Sequence, residues 1–407
     1  MAGRETFVIV GGGLAAAKAA EGLRHGGFDG RVVLVGEEHH PPHERPPLSK
    51  GYLLGTEALE NAVVHPREWY VEQDVDLRLG EPARSLDVDA HTAAVGQEQI
   101  GFDRLLIATG ATARRLPVVK NAKAPVTYLR TIEDSQRIRA ALQPGRRSVV
   151  IGGGWIGLEV AAAARNAGCE VVVVEALEAP LVRVLGPEVA RVFADLHRSH
   201  GVDLRTNTSV TSVGADAGRA VVQLGDGVTL AADLVVVGVG ATPSTALADA
   251  AGLKVDNGIV VDESLRTSHP DVFAAGDVAN AYHPRLGRHL RVEHWDNAIA
   301  QGLAAARNML GANEPYQRLP YFFTDQYDVG MEYVGSVGPA GYDEAVLRGD
   351  VEGRTFTAFW LKDGAVLAGM HVNDWDAIEP IRQIVAAGGV DLARLRDPGV
   401  PLARLTD

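Results

Sequence analysis

Residues 7–16 have the sequence FVIVGGGLAA, an apolar run followed by three glycines and the start of an alanine-rich segment. Residues 149–157 have the similar sequence VVIGGGWIG. A glycine-rich turn of this kind indicates a dinucleotide site only where a strand precedes it and a helix follows. Both segments meet that condition, and each is followed by a second predicted strand that leads to an acidic residue. The sequence therefore predicts two dinucleotide-binding βαβ units, whose glycine turns we call the first fingerprint (residues 11–16) and the second fingerprint (residues 152–157).

The order of predicted elements indicates an α/β fold with two Rossmann-like three-layer domains, each with a β-meander, and a C-terminal α+β domain. We expect the two meanders over residues 75–95 and 202–237, where short apolar segments alternate with polar ones. The C-terminal domain has no nucleotide motif. The expected domains are residues 1–111 with 242–314, residues 112–241, and residues 315–407.

The composition is that of a globular protein without a redox pair of cysteines. The 407 residues are 46% apolar and 22% charged, and the formal net charge is −13. This acidic balance argues against general nucleic-acid binding, because phosphate neutralisation requires an excess of Lys and Arg. Cys169 is the only cysteine, so the chain has no internal disulfide and no Cys-x-x-Cys pair. No apolar run approaches the ~20 residues that span a bilayer. The chain enters a strand almost at once, so we expect a cytoplasmic protein with no signal peptide.

The residues of the first fingerprint suit a pyrophosphate. Gly11 and Gly13 let backbone amides approach phosphate oxygens, and the helix that begins near Leu14 directs its positive end at them. Ala16 takes the third position of the motif, a variant that still permits close packing of helix against strand. Glu37 follows the next strand and is placed to bind ribose hydroxyls.

The second fingerprint predicts which nicotinamide cofactor is preferred. Its glycines are Gly152, Gly154 and Gly157, and Glu175 closes the strand that follows. A carboxylate at that position accepts a hydrogen bond from the adenosine 2′-hydroxyl and repels a 2′-phosphate. We therefore expect NADH to be preferred over NADPH, with Arg183 near enough to soften the preference.

Seven motifs occur in a characteristic order along essentially the whole chain. They are Gly11–Ala16, Glu44–Lys50, Ala108–Gly110, Gly152–Glu159, Gly238–Pro243, Val272–Asp277 and Val292–Trp295. In their order and spacing the chain resembles the FAD-dependent NADH–ferredoxin reductases of oxygenase systems. This putidaredoxin-reductase type belongs to the pyridine nucleotide-disulfide oxidoreductase superfamily but lacks the redox cysteines.

The resemblance implies that the first fingerprint holds FAD and the second holds NADH, with no metal. On the FAD side the implied contacts are Gly11, Gly13, Leu14, Ala15, Ala16, Glu37, Arg45, Lys50, Ala83, Ala108, Thr109, Gly110, Arg130, Gly276, Asp277, Glu293, His294 and Trp295. On the NADH side they are Gly152, Gly154, Trp155, Ile156, Gly157, Glu159, Glu175, Arg183, Val239 and Gly240.

Lys50 and Glu159 are the residues that the resemblance places nearest the chemistry. It implies an ion pair between them beside flavin N5, which would steer the nicotinamide carboxamide and the hydride. Neither residue needs to act as an acid or base, because hydride transfer is the cofactors' own chemistry. From residue type alone, Lys50 could equally be a surface lysine at a helix start and Glu159 an exposed helix residue.

A group of arginines in an acidic protein suggests where a partner docks. Arg285, Arg288 and Arg291 precede Trp295, which the resemblance places at the partner-facing edge. Ferredoxins are usually acidic, so their docking requires local positive charge. The alternatives are a solvated loop for the arginines and a domain-interface role for Trp295.

Other functions are less compatible with the residues. A disulfide reductase needs two cysteines near residues 46–49, where this chain has PPLS. An NADH oxidase needs one redox cysteine after the first βαβ unit, where the chain has Pro41-Pro42-His43. An apoptosis-inducing-factor-like flavoprotein is the non-enzymatic alternative, without a targeting peptide or basic surface to support it. The proline-rich setting of the nearby histidines favours a structural role over metal binding, and Cys169 is expected to be a buried structural thiol.

The sequence thus predicts an NADH-dependent reductase that passes electrons through FAD to a two-iron, two-sulfur ferredoxin. That ferredoxin would supply an oxygenase, either a haem monooxygenase or a Rieske dioxygenase. Electrons should leave singly, because an iron–sulfur centre accepts one at a time. We expect the reductase to be a monomer or weak dimer.

Overall fold

The computed structural model describes residues 4–119 and 123–406 and separates into two compact units. Each unit is assembled from segments that are distant in sequence. The first unit comprises Met1–Arg45, Leu59–Thr112 and Ala241–Arg318. The second unit comprises Pro46–Ala58, Ala113–Gly240 and Leu319–Asp407.

The strands and helices are numbered in chain order. Up to residue 143 they are β1 (Thr6–Val10), α1 (Leu14–His25), β2 (Arg31–Gly36), α2 (Gly51–Leu54), α3 (Arg67–Glu72), β3 (Val75–Leu79), β4 (Ala83–Asp87), β5 (Thr92–Val95), β6 (Glu98–Gly101), β7 (Arg104–Ile107), β8 (Ala111–Ala113), β9 (Val126–Tyr128) and α4 (Ile132–Ala141).

The middle of the chain continues the same alternation of strands and helices. Its elements are β10 (Arg147–Ile151), α5 (Trp155–Asn166), β11 (Glu170–Val174), α6 (Val182–Ser199), β12 (Asp203–Arg205), β13 (Val210–Asp216), β14 (Arg219–Leu224), β15 (Thr229–Ala232), β16 (Leu234–Val237), β17 (Ala241–Pro243), α7 (Ala246–Ala250), β18 (Ile259–Val261), β19 (Val272–Ala274), β20 (Ala279–His283), β21 (Arg288–Arg291) and α8 (Trp295–Met309).

The last part of the chain consists mostly of antiparallel strands. It contains β22 (Tyr321–Gln326), β23 (Val329–Gly335), β24 (Glu344–Asp350), β25 (Thr355–Lys362), β26 (Ala365–Val372), α9 (Ile378–Ala387) and α10 (Leu392–Arg396).

The first unit is built on a parallel sheet with the strand order β19-β7-β1-β2-β3. Its central strand β1 is buried from Phe7 to Val10, as expected for a strand covered on both faces. Helix α1 packs closely on α8, since a Cβ on Gly22 would lie 2.8 Å from Ala306 Cβ. Strand β19 pairs with β7 through Val272 and Leu105, so a late segment of the chain completes this sheet.

The predicted meander over residues 75–95 is partly wrong. Strands β4, β5 and β6 do form an antiparallel sheet, but β3 is the edge strand of the parallel sheet and pairs Val32 with Val75. A half-buried edge strand of a parallel sheet has the same alternation of apolar and polar residues as an antiparallel strand. The pattern therefore could not tell the two apart.

The second unit repeats the parallel architecture with the order β12-β11-β10-β16-β9. The predicted meander over residues 202–237 is again only partly right, because β13, β14 and β15 are antiparallel whereas β12 and β16 belong to the parallel sheet. Helix α6 had no counterpart among the predicted elements. It contains Gly186 with φ 72° followed by Pro187, two residues that interrupt a helical pattern.

The C-terminal part of the second unit is a five-stranded antiparallel sheet with the order β22-β23-β26-β25-β24. Helix α9 covers one face, where Ile381 and Ile384 pack with Phe359. The buried Trp360 lies in the other core, and its indole N–H donates to Leu185 O at 3.1 Å.

The predicted α/β class, with two dinucleotide-binding folds and a C-terminal α+β part, is confirmed. The exact division into three domains stays a prediction. Within the residues that the structure describes, no helix combines the length and the apolar character needed to cross a bilayer.

Candidate active site

The first fingerprint is shaped by close contact between its glycine turn and the neighbouring strand. Gly11 has φ +133°, and a Cβ on it would lie 2.1 Å from Ala108 O. Its N–H donates to Val35 O at 2.8 Å, which ties the turn to β2. Only glycine satisfies both the backbone angle and the close approach. The turn therefore lies at the carboxyl ends of β1, β2 and β7, where ligands bind in parallel sheets.

The start of α1 is open to a ligand. Gly13 is its N-cap residue, with no side-chain hydrogen bond to the helix, and a Cβ on Gly13 would meet no atom within 4 Å. The first N–H groups of a helix have no intrahelical partner and attract anions. Gly276 lies beside this helix start, because its Cβ would be 3.0 Å from that of Ala15. The turn, the helix start and Gly276 fit the pyrophosphate of FAD.

The other predicted FAD residues have varied surroundings. Thr109 Oγ1 donates to Ser244 O at 2.8 Å, and Glu37 is exposed. Ala83 begins β4 and packs against the core of the first unit. Arg45 donates to Glu38 at 2.5 Å. Arg45 belongs to the first unit, whereas Lys50 and Arg130 belong to the second.

The second fingerprint has the same backbone arrangement and is more tightly packed at its third position. Gly152 has φ +104°, and its Cβ would lie 2.4 Å from Gly238 O. Gly157, on the first turn of α5, is closer still, because its Cβ would be 2.1 Å from Gly152 O. Val239 and Gly240 follow directly, and Val239 Cγ1 lies 3.3 Å from the Cβ position of Gly152. Gly154 caps α5 without a side chain, so this helix start also fits a pyrophosphate.

Glu175 is part of the glycine turn as well as a predicted ribose ligand. Its Oε2 accepts the N–H of Gly153 at 2.6 Å, and its Oε1 accepts the N–H of Leu177 at 2.8 Å. These bonds hold the carboxylate beside the fingerprint and leave lone pairs for a ribose hydroxyl. Arg183 is exposed in the first turn of α6.

Lys50 and Glu159 are brought together within the second unit. Lys50 Nζ donates to Glu159 Oε1 at 2.6 Å, and the Glu159 side chain is only 4% exposed. The surface-residue alternative for Glu159 is therefore wrong, because α5 directs this side chain inward. Their part in hydride transfer stays a prediction.

Two further residues complete the surroundings of Glu159, and sequence reasoning missed both. Ser49 Oγ donates to Oε2 at 2.5 Å, and Thr324 Oγ1 donates to Oε1 at 2.6 Å. Ser49 could have been noticed as the neighbour of Lys50. Thr324 has no local signal, because it is 165 residues from Glu159 in sequence. Charge-assisted hydrogen bonds of this kind are stronger than neutral ones and hold a carboxylate in place.

The single cysteine has a structural contact that involves none of the residues around Glu159. Cys169 is fully buried, and its Sγ donates to Gln143 O at 3.3 Å. Burial raises the pKa of the thiol, which disfavours the reactive thiolate. The segment Pro46–Ser49 is a short 3₁₀ helix.

The predicted docking arginines lie on a hairpin of the first unit and are not equivalent. Arg285 is exposed in the turn between β20 and β21. Arg288 is partly buried, and burial lowers the pKa of its guanidinium. Arg291 is only 11% exposed, pairs with Glu293, and donates to Asp277 O at 3.2 Å. Of the three, Arg285 is the most accessible to a partner.

Trp295 begins α8, and His294 is the N-cap residue of that helix. Both are partly buried, and Trp295 packs against the core of the first unit. The side chain that follows, Asp296, accepts from Arg318 at 2.7 Å and 2.8 Å. The hairpin and the start of α8 are therefore held by ion pairs as well as by apolar contacts.

Comparison with known proteins agrees with this arrangement. Residues 5–302 match the pyridine nucleotide-disulphide oxidoreductase family, and residues 321–406 match the reductase C-terminal family. The ferredoxin–NAD(+) reductase component of the anthranilate 1,2-dioxygenase system from Burkholderia cepacia is 40% identical over 402 residues, which is 98% of each chain. Putidaredoxin reductase from Pseudomonas putida is 37% identical over 413 residues, covering 100% of this chain and 97% of the relative.

A solved structure shows the same relationship. The covalent putidaredoxin reductase–putidaredoxin complex superposes with a TM-score of 0.95 at 37% identity, covering 99% of this chain and 98% of the other. The resemblance inferred from the seven motifs is confirmed, and so are the predicted cofactors. This chain therefore belongs to the pyridine nucleotide-disulphide oxidoreductase family and, within it, to the ferredoxin–NAD(+) reductases that use FAD and NAD(H).

Proposed function

We propose that this reductase takes electrons from NADH held at the second fingerprint and delivers them to a two-iron, two-sulfur ferredoxin that supplies an oxygenase. The observation that carries the proposal is the buried Glu159, which is paired with Lys50 next to a Pro46–Ser49 segment without cysteine. In a disulfide reductase the corresponding segment carries the thiols. Here the segment contributes Ser49 to the carboxylate instead. Gly11, Gly13 and Gly276 would hold FAD, which would supply the conversion between two-electron transfer from NADH and one-electron transfer to an iron–sulfur centre.

The residues around Glu159 hold and orient the nicotinamide. Lys50, Ser49 and Thr324 fix the carboxylate, so that it can accept a hydrogen bond from the carboxamide NH₂ group. Lys50 Nζ lies 5.4 Å from the ring centre of Phe323, which restricts the ammonium group further. Preorganised contacts of this kind contribute to the rate by placing the reacting atoms at the required distance.

The domain division is part of the proposal. We assign FAD to a domain of residues 1–111 and 242–314, NADH to residues 112–241, and a supporting role to residues 315–407. The pairing of β19 with β7 supports a first domain made from two chain segments. The contact of Thr324 with Glu159 supports the role given to the C-terminal residues. The cytoplasmic location and the monomer or weak-dimer state stay predictions.

We assign ferredoxin docking to the hairpin that carries Arg285, Arg288 and Arg291, with Trp295 beside it. Arg285 supplies the accessible charge, because it is exposed whereas the Arg291 side chain is only 11% exposed. An acidic ferredoxin approaching this hairpin gains electrostatic attraction, which mainly raises the association rate. The terminal oxygenase is a haem monooxygenase or a Rieske dioxygenase.

The decisive experiment is an anaerobic stopped-flow assay with a panel of two-iron, two-sulfur ferredoxins that includes putidaredoxin. We expect fast flavin reduction by NADH, followed by bleaching of the ferredoxin absorbance. NADH turnover that no ferredoxin in the panel accelerates would contradict the proposal. Oxygen uptake is measured in parallel, because turnover sustained by oxygen alone indicates the NADH oxidase-like alternative, and slow turnover with either acceptor indicates the apoptosis-inducing-factor-like one.

The docking assignment has its own matched control. Arg285→Glu should lower the apparent association rate for ferredoxin about tenfold at low salt and less at high salt, because the interaction is electrostatic. Arg84→Glu changes the net charge by the same amount on the exposed part of β4. Equal effects of the two variants on the association rate would show that only net charge matters and would contradict the assignment of the docking site to the hairpin.

A further inference from the structure

Behind Glu159, a chain of hydrogen bonds continues into the interior of the second unit. Thr324 Oγ1 donates to Glu159 Oε1 at 2.6 Å, and Gln326 Nε2 donates to Thr324 Oγ1 at 3.2 Å. His197 Nε2 lies 2.8 Å from Gln326 Oε1, and Tyr327 OH lies 3.4 Å from His197 Nδ1. The chain thus links β22 and α6 to the carboxylate on α5.

The directions of these bonds follow from the chemistry of the groups. Gln326 Oε1 can only accept, so His197 Nε2 carries the hydrogen. Burial lowers the pKa of His197 to about 4, which keeps the imidazole neutral near pH 7. A neutral imidazole with hydrogen on Nε2 accepts at Nδ1, so the Tyr327 hydroxyl donates to it. Every donor in the chain therefore points towards Glu159.

The chain is buried along most of its length. Thr324 and Gln326 are each 1% exposed, and His197 is 0% exposed. Thr324 and Gln326 point to the same face of β22, because residues two apart in a strand point the same way, and His197 on α6 contacts Gln326 on that face. Buried polar groups of this kind strengthen one another when all are satisfied. Gln326 is an amide and does not readily pass a proton, so the chain suits orientation rather than proton transfer.

We propose that Thr324 and Gln326 are positioning residues for NADH oxidation, which hold the Glu159 carboxylate in the one orientation that leaves Oε2 available to the nicotinamide carboxamide. A carboxylate offers about four acceptor sites. Lys50, Ser49 and Thr324 take three of them. The proposal rests on the proposed function, because it assumes that Glu159 contacts the nicotinamide.

The experiment compares Thr324→Val with Thr324→Ser in anaerobic stopped-flow reduction of the flavin. Valine keeps the shape and removes the hydroxyl, whereas serine keeps the hydroxyl. We expect Thr324→Val to lower the limiting reduction rate about tenfold, because a hydrogen bond to a charged group is lost. The Kd for NADH should change little, since the second fingerprint still holds the pyrophosphate. Thr324→Ser should recover most of the rate.

Gln326→Leu provides a second variant, one step further from Glu159. It should lower the limiting rate by a smaller factor, because the Thr324 hydroxyl remains but loses its orientation. Thr357→Val is the matched control, since Thr357 is a buried threonine on β25 of the same sheet. Its limiting rate should equal that of the unaltered protein.

The outcomes separate the two proposals. If Glu159→Gln slows flavin reduction and neither Thr324→Val nor Gln326→Leu does, the positioning role fails while the function stands. If Glu159→Gln leaves the rate unchanged, the role of Glu159 in the proposed function fails, and the positioning role fails with it. Equal losses in Thr324→Val and Thr324→Ser, with a matching fall in melting temperature, would show that Thr324 serves packing alone. If Thr324→Val does not fold, Gln326→Leu decides the matter by the same criteria.

Discussion

The two βαβ units of this chain use the same glycine motif at different packing distances. In both, the first glycine faces a carbonyl oxygen of the adjoining strand end, at 2.1 Å for the Cβ position of Gly11 and 2.4 Å for that of Gly152. The third position differs, because Ala16 is a buried alanine whereas Gly157 has no space for a Cβ. One sequence pattern therefore covers two arrangements at its third position, and only the arrangement in the second unit makes glycine obligatory at that position.

The acidic residues after the fingerprints also occupy different positions. Gly11 and Gly152 donate to Val35 O and Val174 O respectively, so Gly36 in the first unit corresponds to Glu175 in the second. Glu37 lies one residue further along and is exposed. In the first unit, backbone atoms occupy the corresponding space beside the glycine turn, since a Cβ on Gly12 would lie 3.0 Å from Gly36 Cα. The acid is thus built into the turn of the second unit but lies outside the turn of the first.

The largest effect is expected from exchanging the third fingerprint residues. Gly157→Ala would place a methyl group 2.1 Å from Gly152 O, and overpacking against backbone costs on the order of 3 kcal/mol. Ala16→Gly in the first unit removes only a buried methyl and some helix propensity, about 1 kcal/mol. Melting temperatures and NADH-dependent flavin reduction measure both. Equal destabilisation by the two changes would show that the packing distances do not differ.

Acid provides a second test, because the second unit fully buries His197. Its pKa is lowered by burial to about 4, while an unfolded histidine titrates near 6.5. The unfolded state therefore binds more protons between these values, and the stability of the folded protein falls as the pH is lowered through this window. From pH 7 to pH 5 this residue alone should cost about 2 kcal/mol.

The measurement compares urea unfolding at pH 7 and pH 5 for the unaltered protein and His197→Gln. The variant should lose less stability on acidification, since glutamine does not titrate. His25→Gln is the control in the first unit, because His25 is exposed at the end of α1. An identical loss in all three proteins would show that His197 titrates normally in the folded state.

The smallest effect concerns the two acidic residues. Glu175→Ala should raise the Kd for NADH about tenfold, because it removes both a ribose contact and two bonds to the glycine turn. It should not improve NADPH binding, since Ala176 and Leu177 supply no cation for the 2′-phosphate. Glu37→Ala should weaken FAD retention by a smaller factor, because Glu37 does not hold its turn together. Isothermal titration with NADH, NADPH and FAD measures each. If Glu37→Ala weakened FAD binding by a larger factor than Glu175→Ala weakened NADH binding, the expected order of the two residues would be wrong.

Local patterns were sufficient for much of the fold and for part of the site. Helix α1 begins at Leu14, as predicted, and α5 begins at Trp155, directly after Gly154. Both helices begin directly after a glycine turn whose spacing is a local property. The exclusion of a thiol relay also followed from sequence, because it needs only the absence of a second cysteine.

Long-range contacts were not accessible in the same way. The sequence pattern predicts β3 in a meander, whereas the structure pairs it with β2, because alternation does not identify the partner strand. Ser49 and Thr324 were missed because they lie 110 and 165 residues from Glu159. The sequence leaves two interpretations of Glu159 open, and the orientation of α5 in the structure buries its side chain.

The sequence by itself determined that this protein has two nucleotide-binding turns, no redox cysteine pair and the motifs of a ferredoxin reductase. These properties depend on residue identity and on spacing within a few tens of residues. Only the tertiary structure decided which glycine is sterically obligatory, where Glu175 is held, and that Glu159 is fixed by Lys50, Ser49 and Thr324. The reason is physical: such contacts join groups that folding brings within 3 Å, and no periodicity in the chain records them.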